Sequence, residues 1–190
     1  MVRRARFRNS LLLAILLYSC ADRPPVIPSA FVSMNDPHLQ QGNGQLYFYG
    51  KPFSGHLFSL YPAGDTASAA SYYEGREEGL QKQWYAGGAL REERLYAHGK
   101  KQGTHTGWWP DGRRRFVYHF NRDENEGEAQ EWFASGRPYR VFHYHEGQED
   151  GRQQMWWDDG RVRANYVVKD GQQYGLIGRK LCKNPVHETN

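Results

Sequence analysis

Four carboxylates near the carboxyl end of the chain could do chemistry. They are Glu149, Asp150, Asp158 and Asp159, and they lie in the stretch EDGRQQMWWDDG together with paired tryptophans and two glycines. Carboxylates at this density can act as a general acid and base or as ligands of a metal ion. The alternative is that they belong to turns, where an aspartate side chain accepts hydrogen bonds from nearby backbone N–H groups.

Three histidines form a second candidate site. His119 and His143 are 24 residues apart, and His145 follows two residues later. Converging imidazoles can hold copper or zinc, with Cys182 or His187 as remote additional ligands. Whether the histidines converge depends on the elements that position them.

Those elements repeat. Three glycine series, each with a period of 24 residues, run through the chain. An aromatic doublet with the same period lies between the first two series. The first series is 55, 79, 103, 127, 151 and 175, the second is 64, 88, 112, 136 and 160, and the third is 75, 99, 147 and 171, with Asp123 in its missing place. The doublets are Trp84-Tyr85, Trp108-Trp109, Trp132-Phe133 and Trp156-Trp157, with Leu60-Tyr61 as a degenerate first copy.

Each copy of the unit contains two segments that are able to form strands. Short tripeptides ending in glycine, such as PDG and DDG, join the two segments. Each copy therefore predicts a β-hairpin, and successive hairpins predict an elongated, single-layer antiparallel sheet in an all-β fold. No window shows the periodicity of a helix.

The repeat favours a structural role for the acids. Glu149, Asp150, Asp158 and Asp159 all fall in or beside the glycine turns. It also weakens the metal hypothesis, because equivalent strands of neighbouring hairpins are about 10 Å apart. The alternative for His119, His143 and His145 is that they are exposed side chains of a strand rich in tyrosine and histidine.

The pattern in GLQKQWYAGGALREERLYAHGKKQG, residues 79–103, resembles MORN repeats of the bacterial variant type and the YwqK-type proteins described as antitoxin components. The resemblance covers residues 42–175, as five copies and a leading half copy at 46–54. It implies a sheet of hairpins that serves as a platform for proteins or membranes, and it implies no shared catalytic residue.

Alternating side chains of the second strands predict two different faces. One alternation is aromatic and aliphatic, and it is either the core of a curled sheet or a groove that holds a partner. Its members are Leu90, Tyr96, Phe116, Tyr118, Phe120, Phe142, Tyr144, Val162, Tyr166 and Val168. The other alternation, which includes Arg91, Arg115, Tyr139 and Arg163, predicts a mixed polar face. The aromatic doublets are the candidate contacts for a partner: Trp84, Tyr85, Trp108, Trp109, Trp132, Phe133, Trp156 and Trp157.

The amino terminus predicts export and lipidation. Residues 1–19 combine an arginine-rich start with a short apolar stretch, as in a signal peptide. The following Leu17-Tyr18-Ser19-Cys20 resembles a bacterial lipobox, which implies cleavage before Cys20 and acylation there. Residues 20–41 are predicted to be a proline-rich tether, 42–175 the repeats, and 176–190 a terminal cap in which Leu176, Ile177 and Leu181 cover the open end.

Charge and cysteine content narrow the function. The chain carries a formal charge of +4, but four arginines lie among the first eight residues and the remainder is neutral. A neutral body lacks the electrostatic term that drives nucleic-acid binding, so we predict no nucleic-acid partner. With Cys20 lipidated, Cys182 has no partner for a disulfide and is either a buried apolar group or a reactive thiol.

The sequence therefore predicts a non-enzymatic protein of the bacterial envelope, anchored by lipid on the non-cytoplasmic side, that binds another envelope protein. A metal-binding lipoprotein using His119, His143 and His145 is the first alternative, and an antitoxin component is a second. No nucleophile or zinc motif supports an envelope hydrolase, and no cofactor is expected unless a metal binds. The sequence does not indicate an oligomeric state.

Overall fold

The computed structural model describes residues 24–178, which are all-β without any helix. Nineteen strands form a sixteen-stranded sheet and a separate three-stranded sheet. In chain order they are β1 (Phe31–Ser33), β2 (Leu39–Gly42), β3 (Gln45–Phe48), β4 (Lys51–Pro52), β5 (Gly55–Leu60), β6 (Thr66–Tyr73), β7 (Arg76–Glu77), β8 (Gly79–Trp84), β9 (Leu90–Ala97), β10 (Lys100–Lys101), β11 (Gly103–Trp108), β12 (Arg114–Asn121), β13 (Glu124–Asn125), β14 (Gly127–Trp132), β15 (Pro138–His145), β16 (Gln148–Glu149), β17 (Gly151–Trp156), β18 (Val162–Lys169) and β19 (Gln172–Leu176).

The large sheet is built from five copies of one hairpin, which we number 1 to 5 from residues 55, 79, 103, 127 and 151. Each copy pairs a six-residue strand with an eight-residue strand, as β11 pairs with β12 in copy 3. The first strand of the next copy then pairs with the eight-residue strand, as β14 does with β12. The predicted sheet of tandem 24-residue hairpins is therefore confirmed, although one parallel pair, β1 with β5, makes the sheet mixed.

Two kinds of turn lie at opposite ends of the strands. One end, the doublet rim, carries the turns that follow the aromatic doublets. The other end, the tight-turn rim, carries two-residue turns in which both residues have positive φ, as in type I′ turns. These pairs are Glu74-Gly75, His98-Gly99, Arg122-Asp123, Glu146-Gly147 and Asp170-Gly171. Asp123, with φ 77°, thus takes the place that glycine has in the other copies.

A β-bulge interrupts every hairpin near the doublet rim. In copy 3, Gly107 pairs with Phe116 while Trp108 pairs with Arg114, which leaves Arg115 as the extra residue. The same register shift makes bulge residues of Ala67, Arg91, Tyr139 and Arg163. A bulge redirects the extra side chain. The alternation that assigned Arg115 and Tyr139 to the mixed polar face was therefore wrong, because both line the same groove as Phe116.

The amino-terminal end of the sheet is covered by chain that precedes the repeats. Strand β1 lies along β5, and β2, β3 and β4 form the small sheet. Val32, Phe53 and Leu57 are buried together there. The folded part of the chain thus begins before residue 42, although the prolines favoured a tether without regular structure up to residue 41. Residues 31–42 cover the outer strand and the apolar side chains of the first hairpin, which would be exposed without them.

At the other end, β19 pairs with β18 and is exposed along its length. Leu176 and Ile177, predicted to lie in a terminal cap, are 55% and 39% exposed to solvent. The predicted signal peptide, Cys20, Leu181, Cys182 and His187 lie outside the described residues. Between residues 24 and 178 the structure contains no helix of the length and apolarity needed to cross a membrane.

Candidate binding groove on the inner face

The inner face of the large sheet is the one on which Tyr96, Phe116, Phe142, Tyr166 and Val168 are buried. All five belong to the alternation that the sequence predicted to be either a core or a groove. The character of this face changes from copy to copy. In copy 5, Ala164, Tyr166 and Val168 form an apolar cluster with Met155 packed against it.

In copy 3 the inner face opens into a groove of about 700 Å³. Seven tryptophan, tyrosine and phenylalanine side chains and five charged side chains line it, together with His105 and Ala134. The lining residues are Arg94, Lys101, His105, Trp109, Arg115, Phe116, Tyr118, Phe120, Glu131, Trp132, Phe133, Ala134, Tyr139 and Asp158. Aromatic surface with a few placed polar groups is typical of a binding site. The inner face therefore forms a core in copy 5 and a groove at copies 3 and 4.

The absence of a side chain at Gly107 allows the Phe116 ring to form the floor of the groove. Gly107 lies opposite Phe116 in the hairpin, and a Cβ added at Gly107 would stand 2.3 Å from the Phe116 ring. The ring therefore occupies the space where other copies carry a side chain at the position of Gly107. Those side chains are Ser59, Gln83, Glu131 and Met155.

Charged side chains at the groove are mostly paired with one another. Glu92 is buried and lies between two arginines, 2.6 Å from Arg94 and 2.5 Å from Arg115. Glu131 binds Arg140 at 2.5 Å and accepts a hydrogen bond from the Tyr118 hydroxyl. Burial and this carboxylate raise the pKa of Tyr118 to about 12, so that tyrosine stays protonated at neutral pH.

The aromatic doublets hold neighbouring copies together at the doublet rim. The second residue of a doublet donates a hydrogen bond from its polar tip to the backbone carbonyl of the first doublet residue in the next copy. These bonds run from Tyr61 to Trp84 (2.8 Å), from Tyr85 to Trp108 (2.9 Å) and from Trp109 to Trp132 (3.2 Å). Phe133 has no polar tip and cannot continue the series to Trp156.

Bulge residues cover the rings of the later doublets. The Arg115 guanidinium is 5.8 Å from the centre of the Trp109 ring, and Arg163 is 4.5 Å from that of Trp157. Tyr139 packs edge-on against Phe133 with ring centres 5.0 Å apart.

The eight candidate partner contacts are therefore unequally accessible. Only Trp157 among them is classed as exposed, at 48%, and the other seven are half-buried. Trp109, Trp132 and Phe133 reach the groove.

Three of the four acids of EDGRQQMWWDDG, namely Glu149, Asp158 and Asp159, make turn or inter-copy contacts. Asp159 accepts a hydrogen bond from the backbone N–H of Arg161 at 2.9 Å and binds the Arg161 guanidinium, and these bonds lower the pKa of Asp159. Glu149 accepts a hydrogen bond from the Tyr166 hydroxyl at 2.9 Å. Asp158 accepts one from the Ser135 hydroxyl of the preceding copy. These contacts disperse the carboxylates among separate partners.

The three candidate metal ligands also bind separate partners. His119 is 3.0 Å from the Thr104 hydroxyl. His143 is 3.3 Å from Glu128, and His145 is 3.1 Å from Glu126. Within residues 24–178 no group of three or more histidine, cysteine, aspartate or glutamate side chains is arranged to hold a metal ion. The structure thus does not gather His119, His143 and His145 into one site.

Besides Glu92, two more buried polar side chains on the inner face were not predicted from the sequence. Gln153 is fully buried, and its amide binds the backbone N–H of His143 at 3.0 Å and the His143 carbonyl at 2.9 Å. His105 is 2% exposed and bonded to the carbonyl of Leu95 at 2.8 Å. Burial lowers the pKa of His105. Both occupy the same position of the repeat, as do Leu57, Gln81 and Ala129; this shared position was the signal that could have found them.

A third recurring contact closes the tight turns. The side chain just before the first glycine of a copy accepts a hydrogen bond from the backbone N–H of the first turn residue 20 positions later. The pairs are Ser54 with Glu74 (2.8 Å), Glu78 with His98 (2.7 Å), Gln102 with Arg122 (3.1 Å) and Glu126 with Glu146 (3.0 Å). The acceptor satisfies a backbone donor at a strained position.

No protein-family model and no curated protein matches the chain. The resemblance to MORN repeats therefore stays a prediction from the spacing of glycines and tryptophans.

Proposed function

We propose that this chain is a lipid-anchored protein of the bacterial envelope that binds a partner protein in its inner groove and catalyses no reaction. The observation that carries the proposal is the groove at copies 3 and 4, where Trp109, Trp132 and Phe133 stand beside the ion pairs of Arg115 and Glu131. A surface that combines aromatic rings with charged side chains suits contact with another protein. The anchor rests on the lipobox-like sequence that ends at Cys20.

Site-specific photocrosslinking in living cells tests the binding proposal. A photoreactive phenylalanine analogue replaces Tyr139, which lines the groove, or Tyr174, which lies on the exposed strand β19. We expect a discrete adduct from position 139 that position 174 does not give. The same adducts from both positions, or none from position 139, would count against a partner in the groove.

The anchor is tested separately by labelling cells with an alkyne analogue of palmitate. The full chain is expected to take up the label, and a Cys20→Ser variant is expected to remain unlabelled. Equal labelling of both proteins would refute lipidation at Cys20 without affecting the groove.

A further inference from the structure

Two charges at the groove differ from all the others that line it. Arg94, Arg115 and Glu131 are each in an ion pair. The Lys101 ammonium and the Asp158 carboxylate have no oppositely charged side chain within ion-pair distance among residues 24–178. Lys101 lies over the Phe120 ring, 5.1 Å from its centre. The Asp158 carboxylate accepts only the Ser135 hydroxyl, while the Asp158 backbone carbonyl accepts a hydrogen bond from the Arg137 guanidinium at 2.6 Å. These two charges are free to bind a ligand.

The free charges lie toward opposite ends of the strands. Lys101 follows the turn His98-Gly99 and so stands near the tight-turn rim. Asp158 lies in the turn after β17, on the doublet rim. They also lie on different copies, Lys101 in copy 2 and Asp158 in copy 5. A ligand that meets both charges must therefore be extended and must cross several strands of the inner face.

The fold does not require either charge. Equivalent positions to Lys101 carry Glu77, Asn125 and Glu149. Those equivalent to Asp158 carry Pro62, Ala86, Pro110 and Ala134. The hairpins form with all of these residues, so the two charges can be altered without loss of the sheet.

From these observations we infer that the groove takes an extended peptide segment with apolar side chains in its centre, a carboxylate at the Lys101 end and a cation at the Asp158 end. This inference rests on the proposed function and specifies the partner's chemistry. The aromatic floor binds the apolar centre, and the two unpaired charges fix the orientation of the segment. Complementary charge at the margin of an interface contributes more to selectivity than to total affinity.

Three synthetic nine-residue peptides with a common Trp-Leu-Phe centre test the inference. The first has glutamates at one end and lysines at the other, the second has glutamates at both ends, and the third has lysines at both ends. Their binding to the purified full chain is measured by fluorescence anisotropy at low salt. We expect the first peptide to bind about threefold more tightly than either of the others, the size of effect that one exposed ion pair gives.

Charge reversal should move the preference in a predictable way. Lys101→Glu makes both ends of the groove acidic and should favour the peptide with lysines at both ends. Asp158→Lys makes both ends basic and should favour the peptide with glutamates at both ends. Lys100→Glu is the matched control, since Lys100 neighbours Lys101 on β10 but does not line the groove, and it should leave the order unchanged.

The possible outcomes distinguish a failure of this inference from a failure of the proposed partner-binding function. Equal binding of all three peptides, or an order that Lys101→Glu does not change, would overturn the inference while a groove-specific crosslink would still support a protein partner. Tighter binding of a neutral chitin oligosaccharide than of any peptide would overturn both. Thermal unfolding of each variant confirms that a change in binding is not a loss of fold.

Discussion

The rims and the inner face of this sheet follow different rules. At the rims the same contacts recur from copy to copy, such as the hydrogen bond from Tyr85 to the Trp108 carbonyl and that from His98 to Glu78. On the inner face, equivalent positions carry residues as different as Gly107, Glu131 and Met155. The rims therefore set the fold and leave the inner face free to vary. A site can therefore develop on one copy without disturbing the others.

The largest effect is expected where the inner face is most specialised. Gly107→Ala should lower the free energy of unfolding by about 2 kcal/mol, because the new methyl group overlaps the Phe116 ring. Urea denaturation measures the change. The control is the same substitution in a Phe116→Leu background, where the cost should largely disappear. A full cost in that background would mean that Phe116 is not what the methyl group meets.

At the doublet rim, Phe133 interrupts the series of inter-copy hydrogen bonds, and restoring the missing bond should stabilise the fold. Phe133→Tyr should raise the free energy of unfolding by about 1 kcal/mol, because the new hydroxyl can donate to the Trp156 carbonyl as Tyr61 and Tyr85 donate in copies 1 and 2. Thermal unfolding would show the gain. Tyr85→Phe is the converse control and should cost about as much. No loss from Tyr85→Phe would show that the inter-copy bonds do not stabilise the sheet.

A smaller gain is expected at a strained tight turn. Arg122 has φ 50°, a conformation that asparagine tolerates better than arginine. Arg122→Asn should therefore raise the free energy of unfolding by about 0.5 kcal/mol while its backbone N–H still donates to Gln102. Urea denaturation measures the change. An equal gain from Arg114→Asn, which lies in strand β12, would point to charge removal instead of relief of strain.

The smallest predicted effects concern two histidines, His105 on the inner face and His145 near the tight-turn rim. Their contributions to the free energy of unfolding change in opposite directions when the pH is lowered. Burial lowers the pKa of His105, so the unfolded chain binds a proton more readily, and the contribution of His105 to stability falls as the pH drops below about 6.5. The hydrogen bond to Glu126 raises the pKa of exposed His145, so its contribution is present at low pH and is lost as the pH rises through its folded pKa.

Urea denaturation at pH 5 and pH 7.5 compares the two histidines. His105→Gln, which copies Gln81 and Gln153, should improve stability at pH 5 relative to pH 7.5. His145→Gln should do the reverse. Parallel changes in the two variants would contradict the assignment of His105 to the inner face and His145 to the rim.

The spacing of glycines and doublets was sufficient to predict the hairpins, their order and the exceptional turn at Asp123. It did not predict the bulges, because a one-residue change of register depends on the pairing of two strands. For that reason the sequence assigned Arg115 and Tyr139 to the wrong face of the sheet. A groove was one of the two predicted arrangements of this face, but its place at copies 3 and 4 was not predicted. That place depends on a side chain that Gly107 lacks, and on charges in separate copies, Lys101 and Asp158, which only the folded sheet brings to one surface.

The two recurring series of rim contacts run the same way along the chain. Ser54, Glu78, Gln102 and Glu126 each close a turn that lies later in sequence, and Tyr61, Tyr85 and Trp109 each bind a later carbonyl. During synthesis, the side chain that makes each of these hydrogen bonds is therefore produced before the backbone group that it binds. Each hairpin can form these contacts as soon as it is synthesised, and truncation from the carboxyl end removes only the bond that the last remaining doublet makes to the deleted copy.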